Sequence, residues 1–141
     1  MSQNTLSILI SIKPEFLELI FEGHKTVELR RVLPKNLPSN LEVIFYASSP
    51  TKSIVGKARI KNIEIEPIED LWEKLGNKTG ISFEYFQDYF QGKNTGYGLV
   101  LDKVVKFSNP LSLGSLRDMI NFSPPQSFMY TPPDLRELIH K

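Results

Sequence analysis

The chain has 141 residues, 40% hydrophobic and 23% charged, and its 17 basic against 16 acidic residues leave a formal net charge of +1. That balance excludes a disordered chain and a nonspecific polycation, so any nucleic-acid site must be a local patch rather than a global field. With no cysteine there is no disulfide, thiol nucleophile or thiolate metal centre, and His24 and His140 alone are too few for a structural zinc site.

The length is that of one domain spanning 1–141. Residues 1–13 carry no basic leader and only a strand-length apolar run, so no secretory signal or membrane span is expected, and the expected location is cytoplasmic. LSILISIK (6–13) alternates as a strand does. Pro14 suits the first turn of a helix, where its missing N–H would be unpaired anyway. PEFLELIFE (14–22) then sets Leu17, Ile20 and Phe21 on one stripe, and Gly23 fits the position beyond the helix where φ > 0 is common. TVELRR (26–31) is a second strand, with Val27 and Leu29 on one face and Thr26, Glu28 and Arg30 on the other. That polar face is either solvated surface or the floor of a cleft.

Residues 32–40, with two prolines, are a loop. LEVIFYAS (41–48) and SIVGKARIKNIEIE (53–66) are strands joined by a short turn into a hairpin, and Gly56 marks a bulge or a bend at a barrel corner. PIEDLWEKLG (67–76) has proline in front, acids in the first turn and glycine behind, which predicts a short helix. ISFEYFQDYFQG (81–92) is a further helix with Phe83, Phe86 and Phe90 inward. GYGLVLDKVVKF (96–107) is a strand, and Gly96 and Gly98 around Tyr97 imply that the backbone comes close to a neighbour. A short helix over 112–120, an irregular proline-rich stretch over 123–130 and a terminal helix over 132–141 complete the chain. The order predicts an α+β fold, a small and partly open β-barrel with short helices around it, rather than a doubly wound parallel sheet.

SIKPEFLELIFEGHKTVELRR (11–31) resembles the opening of the ASCH domain, a branch of the PUA-like superfamily. The shared pattern is a strand ending in Lys-Pro, a helix, then Gly-x-Lys-x-x-Glu-x-Arg, here Lys13, Pro14, Gly23, Lys25, Glu28 and Arg30. FYASSPTKSIVGKARI (45–60) is similar to the second family block, and 71–90 and 123–130 resemble the single-domain bacterial, phage and archaeal branch, so the likeness covers most of the chain. It implies a PUA-like barrel with a cleft between the barrel and the first helix. It also implies RNA, a nucleotide or a nucleoside as ligand, and, through the family's association with transcriptional coactivators, a regulatory role in transcription or translation and a protein partner.

In the expected cleft Lys25 and Arg30 grip a phosphate, the one as a point charge and the other as a planar fork. Glu28 orients the lysine, accepts a base or ribose donor, or serves as general base, which makes Lys25 and Glu28 the candidate catalytic pair of a metal-independent hydrolase. Side chains two apart on a strand sit roughly 7 Å from each other, so Glu28 and Arg30 can meet; the plainer alternative is a surface ion pair worth at most about 1 kcal/mol. Lys13, at the end of the first strand, faces the same opening. In the family's amidohydrolases that deacetylate N4-acetylcytidine, a threonine nucleophile matches Glu28; here Thr26 stands two residues early, so that mechanism does not carry over residue by residue. A Lys–Glu pair still suits acid–base work on an RNA phosphodiester or an acylated nucleoside. Tyr97 and Tyr130 are the expected stacking rings, and Tyr46, Ser48, Gln126 and Ser127 further ligand contacts. Lys52 and His24 are weighed as phosphate contacts against plain surface roles. No cofactor and no metal are expected; carboxylate-bound magnesium is the one metal chemistry the composition leaves open.

Overall fold

The computed structural model describes residues 6–140; the expectations placed on 1–5 and on Lys141 lie outside it. The elements in chain order are β1 (Ser7–Ile12), α1 (Pro14–Phe21), β2 (Val27–Arg30), β3 (Leu41–Ala47), β4 (Ser53–Pro67), α2 (Ile68–Leu75), α3 (Phe83–Tyr89), β5 (Thr95–Ser112), α4 (Leu113–Met119), β6 (Phe128–Tyr130) and α5 (Pro133–Ile139). The strands form one mixed sheet in the order β2-β5-β4-β3-β1-β6, curled into a half-barrel with the five short helices against it.

Local chemistry accounts for most boundaries. Pro14 opens α1, and Gly23, at φ 84°, takes the left-handed turn that ends it. β3 and β4 are the expected hairpin, and the register slips beside Gly56, where an added Cβ would lie 2.5 Å from the Val105 carbonyl oxygen. Gly96 and Gly98 answer the question their spacing raised: a Cβ at Gly96 would meet the Phe90 ring at 2.5 Å, and one at Gly98 the Leu75 side chain at 2.7 Å, so both let α2 and α3 press onto β5.

Three features differ from the sequence reading. β1 pairs parallel with β3, across the intervening α1 and β2, in register Ile8↔Val43 and Ile12↔Ala47. β5 runs on to Ser112. Phe128–Tyr130, expected to be irregular, is an edge strand antiparallel to β1, short and preceded by Pro124 and Pro125, as edges tolerate. Among the described residues no helix is long and apolar enough to cross a membrane.

The core divides by sheet face. Ile8, Ile10, Leu17, Ile20, Phe45, Ile60 and Leu99 fill the inside of the curl. Leu9, Ile44, Tyr46 and Ile54 pack outward on Leu116, Phe122 and Leu135 beneath α4 and α5. Val27 and Leu29 also face outward, against Leu71, Leu75, Phe86 and Phe90 of α2 and α3. Because both faces of β2 are covered, its alternate residues Glu28 and Arg30 point into the curl, and the polar face of this strand is turned inward.

A candidate active site in the cleft beside β2

Lys25, Glu28 and Arg30 are 3%, 8% and 8% exposed, so three charges lie together almost out of water. Burial of a lone charge is costly, and the arrangement offsets it by pairing. The Lys25 Nζ donates to the Thr79 carbonyl at 2.6 Å and lies 3.4 Å from Glu28 Oε1. Arg30 Nη2 meets Glu28 Oε2 at 2.9 Å and also donates to the Ser11 carbonyl at 2.9 Å, while Nη1 donates to the Ser127 hydroxyl at 3.2 Å. One carboxylate is thus held between two cations, and the cluster carries a net positive charge that favours an anion over a metal ion.

The turn that delivers Lys25 is tied on both sides. Its N–H and that of His24 donate to the Leu19 carbonyl at the end of α1, and Thr26 N–H donates to the Lys78 carbonyl at 2.9 Å. Thr79 is fully buried, its hydroxyl donating to the Gly76 carbonyl at 2.7 Å, so the carbonyl that holds Lys25 is itself fixed. Burial lowers the Lys25 pKa from its ordinary 10.5, and the Glu28 charge and hydrogen bond, though opposed, do not cancel that effect. The ammonium is therefore a better proton donor than a surface lysine.

These groups floor a cleft of about 150 Å³, walled by Phe16 of α1, Ile81, and Tyr85 and Tyr89 of α3. The Lys25 ammonium lies 5.6 Å from the Phe16 ring centre, and Lys13, exposed at the mouth, 5.9 Å from that of Tyr85. The Tyr89 hydroxyl donates to the Leu29 carbonyl at 3.2 Å; burial raises its pKa and the Arg30 charge pulls it back.

Lys13, Lys25, Glu28 and Arg30 therefore line one cleft, the alternative that the family resemblance had implied, but Arg30 is not a free fork: its terminal nitrogens are engaged with Glu28, Ser11 and Ser127. The other expected contacts lie elsewhere. Tyr46 is buried beneath the 120–127 segment with its ring 6.3 Å from Phe122. Ser48 lines a separate hollow beside Lys13 and Glu18. Tyr97 lines a groove under the 32–40 loop, Tyr130 is 48% exposed on β6, and Gln126, His24 and Lys52 are exposed. Thr26 is exposed too, away from the cleft floor. His140 instead bonds Glu42 at 2.9 Å and ties the end of α5 to the sheet. Sequence reasoning passed over Thr79, Tyr85 and Tyr89. The i, i+4 spacing of the two tyrosines beside the buried Phe86 and Phe90 was the available signal, although Phe83, expected to face inward, is 47% exposed at the start of the helix; Thr79 gave none, since it acts through its backbone.

Residues 5–120 match the family described as Domain of unknown function (DUF365). Over 125 residues the chain is 35% identical to an ASCH domain-containing ribonuclease of Zymomonas mobilis, covering 86% of this chain and 81% of that one. The crystal structure of ASCH from Zymomonas mobilis superposes with a TM-score of 0.86 at 31% identity, covering 95% of this chain and 93% of that one. The chain is also 32% identical over 113 residues to large ribosomal subunit protein uL22 of Ureaplasma parvum, matching 79% of this chain but only 35% of that protein's length.

Proposed function

Because the chain belongs to the ASCH domain family, we propose that the cleft beside β2 is where it binds RNA and cuts it by metal-independent acid–base chemistry. The observation that carries this reading is the buried Lys25–Glu28 contact at 3.4 Å, with the ammonium's pKa lowered by burial, at the floor of a solvent-accessible cleft. The ribonuclease character of a relative 35% identical over most of its length supports it.

The roles follow from what each group has left to offer. An ammonium has three N–H donors; Lys25 directs them at the Thr79 carbonyl and Glu28 and keeps one for substrate. Each Glu28 oxygen has one cationic partner and retains a lone pair for a proton. In the proposed reaction a ribose 2′-hydroxyl gives its proton to Glu28 and its oxygen bonds to phosphorus. The bond from phosphorus to the 5′-oxygen breaks, and Lys25 protonates that oxygen as it leaves. The products are a 2′,3′-cyclic phosphate and a 5′-hydroxyl. Ser127, whose hydroxyl accepts from Arg30, keeps its own proton for a phosphate oxygen, and Lys13 meets the incoming charge at the mouth. Arg30 is a positioning residue that holds Glu28 and Ser127. A cleft of about 150 Å³ takes a phosphate and part of its sugar, not a whole nucleotide. No feature of the cleft adds support to the expected regulatory role or protein partner.

The test is a short single-stranded RNA incubated with the protein in chelator, with product ends identified. Cyclic-phosphate ends from the wild type, and a rate about 10²–10⁴-fold lower for a folded Glu28→Gln variant, are expected. Salt-dependent binding with the RNA left intact would reduce the reading to a binding module. Acetate released from N4-acetylcytidine, with RNA untouched, would replace it by the nucleoside hydrolase.

A further inference from the structure

We propose that Tyr85 stacks the base on the 3′ side of the cut, that of the nucleotide whose 5′-oxygen leaves; the inference rests on the RNA reading of the cleft. Size calls for a ring at the rim. A cleft of about 150 Å³ falls short of the roughly 300–1,000 Å³ of most ligand sites, so the bases beside the bound phosphate lie outside it. Of the aromatic rings that line the cleft, Phe16 and Tyr89 are half-buried, while Tyr85 is 39% exposed.

The direction of α3 gives the polarity of the strand. Tyr89, at the end of the helix, donates its hydroxyl to the Leu29 carbonyl at 3.2 Å and so marks the Glu28–Arg30 end of the cleft. Tyr85 lies one turn earlier, about 6 Å along the helix axis. It marks the Lys25 end: its ring meets Phe16 edge to face at 5.5 Å, and the Lys25 ammonium lies 5.6 Å from the same Phe16 ring centre. In the proposed cleavage Glu28 takes the proton of the 2′-hydroxyl, and Lys25 gives one to the leaving 5′-oxygen. The nucleotide that keeps the phosphate therefore lies towards Tyr89, whose hydroxyl is already engaged, and the nucleotide that leaves lies towards Tyr85.

The surroundings of Tyr85 hold it ready. Its N–H donates to the Ser82 hydroxyl at 3.1 Å, which caps α3 and fixes the backbone beneath the ring. The Phe16 contact, at 83° between the ring planes, sets the tilt. Lys13, with its ammonium 5.9 Å from the Tyr85 ring centre, is placed for the phosphate that follows the stacked base. Every base has a π-face, so this contact fixes the direction of the strand without selecting a base.

The test uses short RNAs with one ribonucleotide among 2′-O-methyl nucleotides, which defines the cut. Removing the base 3′ of the cut should lower kcat/KM about tenfold in the wild type, and removing the base 5′ of it much less. Tyr85→Ala should lose about as much on the complete RNA and become indifferent to the 3′ base, whereas Tyr85→Phe keeps both rate and preference. Phe83→Ala removes another exposed ring of α3, one that does not line the cleft, and should change neither. A Tyr85→Ala protein that cuts and discriminates like the wild type, or a greater loss on removing the 5′ base, would overturn the inference and leave the proposed cleavage standing. If the RNA stays uncut, the cleavage reading falls, and fluorescence anisotropy of the same labelled RNA decides the stacking. Affinity that drops about tenfold in Tyr85→Ala and holds in Tyr85→Phe supports it; affinity equal in all three proteins, or no binding, overturns it.

Discussion

Lys25 is the residue where the competing physical effects are clearest. Its ammonium has a carbonyl at 2.6 Å and a carboxylate at 3.4 Å, yet burial outweighs both and lowers its pKa from 10.5. The consequence for stability has a definite sign. Below the lowered folded value the cost of burying the charge is fully present. Between that value and 10.5 the unfolded chain binds more protons than the folded one, so this residue makes stability rise with pH. A Lys25→Met variant lacks that term, and the advantage of wild type over variant should grow across the alkaline window. Urea titrations at a series of pH values check it, and parallel pH profiles for the two proteins would contradict it. Glu28 has the opposite dependence on its neighbours: Glu28→Ala leaves two buried cations without their shared counter-charge and is expected to cost about 3–5 kcal/mol, read from the urea midpoint.

At the scale of elements, contacts of backbone and glycine decide more than strand propensity. A Cβ at Gly56 would lie 2.5 Å from a β5 carbonyl oxygen and 2.7 Å from the Phe21 ring, and a main-chain oxygen in a bulge has little room to yield. Gly56→Ala is expected to cost about 1–3 kcal/mol by overpacking. Gly114, in α4, has nothing within 4 Å of its would-be Cβ, and Gly114→Ala is expected to be neutral or stabilising by up to about 1 kcal/mol. Equal midpoints for the two variants would refute the assignment. These glycines also mark what the sequence allowed one to read. Gly23, Gly56 and the Gly96–Gly98 pair announced a helix end, a bulge and a close approach, because each expresses a local steric demand. The alternation of TVELRR likewise gave the strand and its polar face. It did not say that α2 and α3 would cover Val27 and Leu29 and so turn Glu28 and Arg30 into the curl, since that depends on helices forty to sixty residues further along the chain. The parallel β1–β3 pairing and the three-residue edge strand β6 were hidden for the same reason: both are set by partners distant in sequence rather than by a local period.

At the scale of the whole molecule, Arg30 joins the two ends of the sheet. β2 and β6 are the edge strands at opposite ends of the strand order, and no backbone ladder links them. From β2, the guanidinium donates to the Ser11 carbonyl on β1 at 2.9 Å and to the Ser127 hydroxyl just before β6 at 3.2 Å, while the same Nη2 holds Glu28 at 2.9 Å. The fork therefore closes the half-barrel and orients the cleft carboxylate together, a task for planar geometry that a lysine ammonium does not reproduce. In Arg30→Lys the charge remains and the closure is lost, so amide exchange at 128–131 should quicken while exchange in β3, held on both sides by β1 and β4, changes little. Ligand binding tests the coupling from the other side. RNA bound as proposed, over Glu28 and Ser127, should favour the closed seam and slow exchange at 128–131 in the wild type by linkage, and much less so in Arg30→Lys. Exchange at β6 that is indifferent both to the substitution and to RNA would show that β6 is held by its pairing with β1 and the flanking Ser11–Ser127 and Ser7–Thr131 backbone bonds, and that Arg30 serves only to pair Glu28.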